Sequence, residues 1–159
     1  MKVIHSLTCL AVAASLILSG CDQGPCSCEA IKIPDQSFLD ALLEPGLDEE
    51  GEVQIIDSND DGLISYYEAE AITYLDVSGK GISDMTGIEN FVNLEVLDCS
   101  DNQLIKLDLS RNKKLKELDV SNMPTLTQIC VWELPWPPEN VLIDINGSPN
   151  VYFTDVCSF

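Results

Sequence analysis

Oxygen-bearing side chains recur at alternate positions between residues 57 and 68, in the run DSNDDGLISYYE. Carboxylate, amide and carbonyl oxygens are the ligands that Ca²⁺ prefers, and about six to eight of them surround one ion. Gly62 stands where a chain that wraps an ion must turn sharply. The run therefore predicts a Ca²⁺ site. Its predicted ligands are Asp57, Asn59, Asp61, the backbone carbonyl of Leu63, Ser65 (directly or through water) and Glu68 with both oxygens.

The same run resembles the EF-hand calcium loop, because it meets the pattern D-x-[DN]-x-[DN]-G-x₅-E in full. Ile64 also occupies the eighth position, where such loops place an inward apolar residue. No clear entering helix precedes Asp57, since Pro45-Gly46 intervenes, and the resemblance is closer to dockerin loops. Dockerins carry two such loops and this chain has one. The resemblance implies a structural calcium ion; the alternative is a metal-free turn that caps a helix starting near Tyr66.

The N-terminus has the features of an export signal. Lys2 precedes an apolar run at residues 7–18, which is too short to cross a bilayer that needs roughly 20 residues. The run ends in LSGC at 18–21, which resembles the lipobox of bacterial lipoproteins. The resemblance implies cleavage before Cys21, lipidation of that cysteine and anchoring to the outer membrane, surface-exposed or facing the periplasm. The alternative is an ordinary cleaved signal with an incidental cysteine.

Composition excludes several kinds of chemistry. The 159 residues include 27 acidic and 8 basic ones, a formal net charge of −19, so we expect no binding to nucleic acid. The one histidine, His5, lies in the signal segment, so cleavage leaves no imidazole for a catalytic triad or acid–base work. We therefore expect that the protein is not an enzyme and that cations or basic groups complement it.

A periodic apolar pattern governs the predicted fold. Apolar residues with the spacing L-x-x-L-x-L occur five times, in units that begin at residues 72, 94, 104, 115 and 126. The first two units lie 22 residues apart, and from residue 94 onward alternate units lie 21 or 22 residues apart. Asn102 and Asn112 follow two of them at a turn position. The pattern resembles short leucine-rich-repeat surface proteins of bacteria. The resemblance implies an α/β-type solenoid with one β-strand per repeat and an irregular convex side.

The flanks are expected to close the two ends of this solenoid. Apolar residues at 38–39 and 42–43 predict a helix that stops at Pro45-Gly46. Two apolar runs around Asn146-Gly147 predict a C-terminal β-hairpin, and Trp132 and Trp136 are expected to fill the end of the core. The predicted parts are the signal peptide 1–20, the tether 21–33, the helical cap 34–73 with loop 57–68, the repeats 74–131 and the C-terminal cap 132–159.

The register of the repeats decides which side chains point outward. Strands that are 21–22 residues apart would stack aspartates about 4.8 Å apart on one face, beside a second row of residues. The candidate ligand face consists of Tyr74, Asp76, Val96, Asp98, Glu117 and Asp119. The alternative is that these aspartates only solvate the sheet and accept hydrogen bonds from turns.

The same register makes a prediction about the cysteines. Cys99 falls on an inward position and should be a buried free thiol. Cys130 falls on an outward position, from which it can reach the C-terminal cap, so we predict a Cys130–Cys157 disulfide. The alternative is that Cys157 pairs with Cys26 or Cys28.

These features predict a monomeric cell-surface binding or adhesion module for a protein or glycan ligand, with a structural calcium ion. One alternative is an assembly component that docks through the dockerin-like loop. Another is a glycan-active enzyme, which would need two carboxylates facing each other across a cleft.

Overall fold

The computed structural model describes residues 29–157. Two short helices, α1 (Gln36–Leu43) and α2 (Tyr66–Ala71), flank an antiparallel hairpin of β1 (Gly46–Leu47) and β2 (Val53–Gln54). Seven three-residue strands follow, with a 3₁₀ helix at Ile88–Asn90 between the first two. They are β3 (Tyr74–Asp76), β4 (Val96–Asp98), β5 (Lys106–Asp108), β6 (Glu117–Asp119), β7 (Gln128–Cys130), β8 (Leu142–Asp144) and β9 (Tyr152–Thr154).

These seven strands form two parallel sheets of a solenoid with about four coils. The first sheet has the order β3-β4-β6-β8 and the second has the order β5-β7-β9. Every adjacent pair is parallel. From β4 onward the chain alternates between the sheets, so each coil contributes one strand to each of them. The repeat fold expected from the L-x-x-L-x-L pattern is thus present.

The apolar residues of each repeat point between the two sheets and form the core. In the second unit, for example, Leu94, Leu97 and Cys99 are at most 1% exposed. Buried asparagines satisfy the backbone where the coils turn: the Asn102 Nδ2 atom donates to the Val77 carbonyl at 2.8 Å. A buried carbonyl without such a donor would cost roughly 1–3 kcal/mol, which explains an amide at this position.

The expectation of an irregular convex side was wrong, because the side opposite the first sheet carries the second sheet. Units only 10 or 11 residues apart, such as those beginning at Leu94 and Leu104, supply strands to opposite sides. Both halves of a coil therefore use the same apolar pattern and the same extended backbone.

The predicted C-terminal hairpin was also wrong. β8 pairs with β6 and β9 pairs with β7, each in parallel, so they extend different sheets. Gly147 does turn the chain, with φ +77°, but a Cβ there would lie 2.8 Å from the Asn122 Oδ1 atom of the preceding coil. The Asn122 N–H also donates to the Asn146 carbonyl at 2.7 Å. The turn is therefore a corner of another coil, and the solenoid continues to Thr154.

The helical segment packs against the first coil. Phe38 and Leu42 on α1 are fully buried, and Asp35 caps this helix by accepting from the Phe38 N–H at 3.0 Å. Lys80 binds Glu44 just beyond α1 at 2.9 Å. Within residues 29–157, no helix is long and apolar enough to cross a bilayer.

Candidate functional site

The loop 57–68 folds around its own oxygen atoms. The two carboxylate oxygens of Asp57 accept from the N–H groups of Asp61 at 3.2 Å and Gly62 at 2.9 Å. Asp61 in turn accepts from the Leu63 N–H at 2.9 Å. Gly62 has φ +76°, a conformation that favours glycine. Local hydrogen bonds thus hold most of the predicted ligands in one compact turn.

Glu68 closes this loop at its far end. Its Oε1 atom accepts from the backbone and hydroxyl of Ser58, each at 2.9 Å. Its Oε2 atom accepts from the Ser65 N–H at 3.0 Å and the Ser65 hydroxyl at 2.8 Å. Burial acts to raise the pKa of Glu68, but these donors from Ser65 and Ser58 outweigh it and lower the pKa. Ser65 and Glu68 also form a capping box for α2.

The donor set suits calcium, although the carboxylates do not converge as ligands of one ion would. Asp57, Asn59, Asp61, Ser65 and Glu68 offer only hard oxygen atoms, which is the chemistry Ca²⁺ requires. Within residues 29–157, no three acidic side chains of this loop have carboxylate oxygens that all lie within 4.8 Å of one another. Calcium binding at this loop would therefore require the carboxylate oxygens of Asp57, Asp61 and Glu68 to move closer together.

The chain immediately before α1 pairs with this loop. The Ile31 N–H donates to the Ile64 carbonyl at 2.7 Å, the Tyr66 N–H donates to the Glu29 carbonyl, and Ala30 forms an antiparallel bridge with Ser65. Ile64 and Ile31 are both buried. The second half of the loop is thus joined to the N-terminal end of the described chain.

The first sheet presents two rows of side chains on its outer face. The register pairs Asp76 with Asp98, Asp98 with Asp119, and Asp119 with Asp144. We call this row the aspartate ladder. The second row follows from the same register and consists of Tyr74, Val96, Glu117 and Leu142. Apart from Asp76, both rows line a shallow concavity of about 400 Å³.

The ladder aspartates also support the turns that follow their strands. The Oδ1 atom of Asp98 accepts from the Ser100 N–H at 2.9 Å, and that of Asp119 accepts from the Ser121 N–H at 2.8 Å. Burial raises the pKa of Tyr74, and the charges of Asp76 and Asp98 add to this effect. The negative field of the ladder thus reaches the second row.

The cysteines have two distinct environments. Cys99 is a free thiol with no exposed surface; burial raises its pKa, and Asp98 and Asp119 add to the rise. Cys130 and Cys157 form a disulfide, with Cα atoms 5.5 Å apart. Asp108 lies beside this pair, but disulfide sulfurs offer no thiolate to a metal. Cys21, Cys26 and Cys28 lie outside the described residues.

The aromatic residues after the repeats fill the end of the core. Trp136 is 8% exposed, and its ring lies 4.7 Å from that of Phe153 and 6.0 Å from that of Trp132 between centroids. These rings are largely used in packing, which leaves the aspartate ladder as the more open surface.

Two features of the surface were not predicted from the sequence. The ladder gains a fourth rung, Asp144 beside Leu142, because β8 joins the first sheet. A second cavity, of about 570 Å³, lies between residues 83–89 and β5. The sequence feature that could have predicted this cavity is the spacing between the first two repeat units, which is about twice the spacing between later consecutive units.

No family model matches the chain, and no curated protein matches it. Solved structures that are similar include the CBM51-2 and INT domains of ZmpB from Clostridium perfringens, in a complex with GlcNAc. That match has 26% identity and a TM-score of 0.42, and covers 69% of this chain and 20% of that one.

Two others come from Listeria monocytogenes. Internalin C2 has 18% identity and a TM-score of 0.42, covering 76% of this chain and 63% of that one. The functional domain of InlJ has 22% identity and a TM-score of 0.36, covering 79% and 29%. The chain thus spans less than two thirds of each of the three. Every TM-score is below 0.5, so these similarities do not assign a fold or a site to this chain.

Proposed function

We propose that this protein is a non-enzymatic binding or adhesion module of the bacterial cell surface, and that the outer face of the first sheet binds its ligand. The observation that carries the proposal is the pairing of the aspartate ladder with a parallel row that contains Tyr74, Val96 and Leu142. Apolar and aromatic side chains supply contact area. Carboxylates select groups of opposite charge or accept hydrogen bonds from hydroxyl groups. The ligand is a protein or glycan that presents cationic or hydrogen-bond-donating groups.

The negative charge of the protein supports the proposal that the outer face of the first sheet selects its ligand by charge. The net charge of −19 repels anionic partners at long range, and the ladder concentrates carboxylates about 4.8 Å apart. Such a field increases association rate and specificity more than it increases affinity.

Calcium has a structural role in this proposal. Asp57, Asn59, Asp61, Ser65, Glu68 and the Leu63 carbonyl would hold the ion. When bound, Ca²⁺ would offset most of the negative charge of the ligand carboxylates and would link the loop to α2 through Glu68. The chain's own contribution is to place these oxygens on one turn and to cap α2 through Ser65. Lipidation at Cys21 would anchor the module to the outer membrane.

The ligand face is tested with arrays of glycans and of basic peptides, probed with the full chain and with Asp98→Asn and Asp119→Asn. We expect at least one class of probe to bind, and each substitution to weaken binding by about threefold to tenfold. Glu139→Gln is the control, because Glu139 is an exposed carboxylate that lines neither the concavity over the ladder nor the cavity beside β5. Equal loss in the control, or no binding of any probe, would contradict the proposal. Shortening of bound glycans would favour the enzyme alternative.

A further inference from the structure

The first coil lacks a strand that the following coils possess. Between β3 and β4 the chain forms the 3₁₀ helix Ile88–Asn90, whereas every later crossing from the first sheet enters the second. β5 is consequently the edge of the second sheet. Edge strands are the places where a further extended segment can pair.

A groove remains where that strand would lie. The cavity of about 570 Å³ has the size of a typical ligand pocket. One side consists of residues 83–86 with Glu89, and the other consists of Ile105 with β5. Ile105 is 59% exposed, while Leu107 and Met85 are buried, so the lining offers apolar as well as polar surface.

The far side of the groove is fixed in place. The Oδ2 atom of Asp35 accepts from the Ser83 N–H at 3.0 Å, the Ser83 hydroxyl at 2.7 Å and the Asp84 N–H at 3.0 Å. Asp84 itself accepts from the N–H of Thr86 at 2.8 Å. Because Asp35 also caps α1, these bonds tie the loop to a helix and hold it in its position beside β5.

The backbone of β5 has one edge toward this groove. Ile105 and Leu109 bond to the β7 side, through the Ile105 carbonyl and the Leu109 N–H. In a parallel strand, alternate residues direct their N–H and C=O groups to opposite edges. Asp108 therefore directs its backbone groups toward the groove.

The groove is acidic. Asp84, Glu89 and Asp108 line it with carboxylates, and Lys106 is the single basic residue of the lining. The Ser110 N–H holds the Oδ1 atom of Asp108 and so orients this carboxylate beside the edge. Opposite charges paired across neighbouring strands stabilise a sheet, so charge complementarity selects a basic occupant.

We propose that this groove binds an extended basic segment of a partner protein, which adds a strand to β5 and pairs a lysine or arginine with Asp108. Backbone hydrogen bonds to the edge provide affinity, and the carboxylates provide the preference for a basic sequence. This site is separate from the aspartate ladder, because it lies at the edge of the second sheet.

The test uses the full chain and the peptide acetyl-Lys-Val-Lys-Val-Lys-amide, with binding followed by amide NMR shifts of Lys106 and Asp108. A glutamate version of the peptide tests charge, and a version with N-methylated backbone tests strand pairing. We expect the lysine peptide to bind and to shift these amides, and both altered peptides to bind at least about tenfold more weakly.

Two protein variants locate the site. Asp108→Lys should weaken binding of the lysine peptide by about tenfold, while Glu139→Lys should leave it unchanged. Glu139→Lys makes the same change of charge at an exposed residue that lines neither this groove nor the concavity of the aspartate ladder. Asp108→Asn, which keeps an oxygen acceptor for Ser110, serves if Asp108→Lys does not fold. No binding at millimolar peptide, equal binding of the N-methylated peptide, or equal loss in Glu139→Lys would each overturn the proposal.

Discussion

Glu68 joins the two ends of the loop 57–68 through a single carboxylate. Its oxygens receive donors from Ser58 at one end and Ser65 at the other. An ionised carboxylate accepts these hydrogen bonds better than a neutral one, which is why the donors lower the pKa of Glu68 against the effect of burial. The residue therefore couples loop closure to the start of α2 even before any metal is considered.

Glu68→Gln should lower the free energy of unfolding by about 1–2 kcal/mol at pH 7, because a charge-assisted cap is lost. The folded-state pKa of Glu68 lies below its ordinary value of 4.5, so its contribution is present above about pH 4.5 and disappears as pH falls through the folded-state pKa. Urea unfolding of both chains at pH 7 and pH 3 measures the difference. Glu70→Gln, an exposed position on the same helix, should change it little. An equal cost of Glu68→Gln at both pH values would contradict this assignment.

At the scale of elements, the segment 29–31 and the loop 57–68 are joined by an antiparallel bridge and two backbone hydrogen bonds. The bond from Ile31 to Ile64 links the predicted tether to the residue just before the α2 cap. A ligand that binds only the closed loop stabilises everything that depends on closure. If the proposed calcium site forms, calcium should therefore stabilise the pairing of segment 29–31 with the loop.

Calcium at ten to a hundred times its Kd should raise the free energy of unfolding by about 1–3 kcal/mol and slow hydrogen exchange at the Ile31 amide. Thermal unfolding and exchange of the full chain in calcium and in chelator measure the two effects. Asp57→Asn should remove both, whereas Asp60→Asn should keep both, since Asp60 is not a predicted ligand and asparagine tolerates its φ of +58°. Identical curves in calcium and chelator would leave a metal-free capping turn. A rise in stability without slower exchange at Ile31 would separate metal binding from the pairing.

The repeat elements were predictable because the L-x-x-L-x-L pattern records burial directly. Residues such as Leu97 and Leu118 are spaced so that only one register buries them, and the rungs of the ladder follow from that register. The second sheet and the last coil were harder to predict. A corner of a coil and a hairpin both need a glycine such as Gly147, and only contacts with Asn122 in the preceding coil decide between them. The groove beside β5 depends on how residues 83–89 pack, which no local pattern encodes.

For the whole molecule, each coil is stabilised by contacts with its neighbouring coils, so the coils at the two ends are the least stable. The N-terminal end is covered by α1. At the other end β9 is an edge strand, and the Cys130–Cys157 bond ties the chain beyond it to β7. A covalent link across 27 residues restricts the unfolded chain and so stabilises this last coil.

Cys157→Ser should lower the free energy of unfolding by roughly 3 kcal/mol and speed hydrogen exchange in β9 before that in β4. Denaturant unfolding and exchange of the full chain provide the measurements. Adding a reductant should bring the unaltered chain to the level of the variant and leave the variant itself unchanged. Equal stability of the two chains under oxidising conditions would show that the bond does not hold this end.

The equal register of neighbouring coils also gives the protein a simple route to change during evolution. Each strand of the first sheet contributes one aspartate to the ladder. Duplication of the DNA for one coil would lengthen the ladder by one rung, about 4.8 Å, and leave α1 and the disulfide at the two ends. The length of the ligand face is thus set by the number of coils, and it can change while the core packing of each coil stays the same.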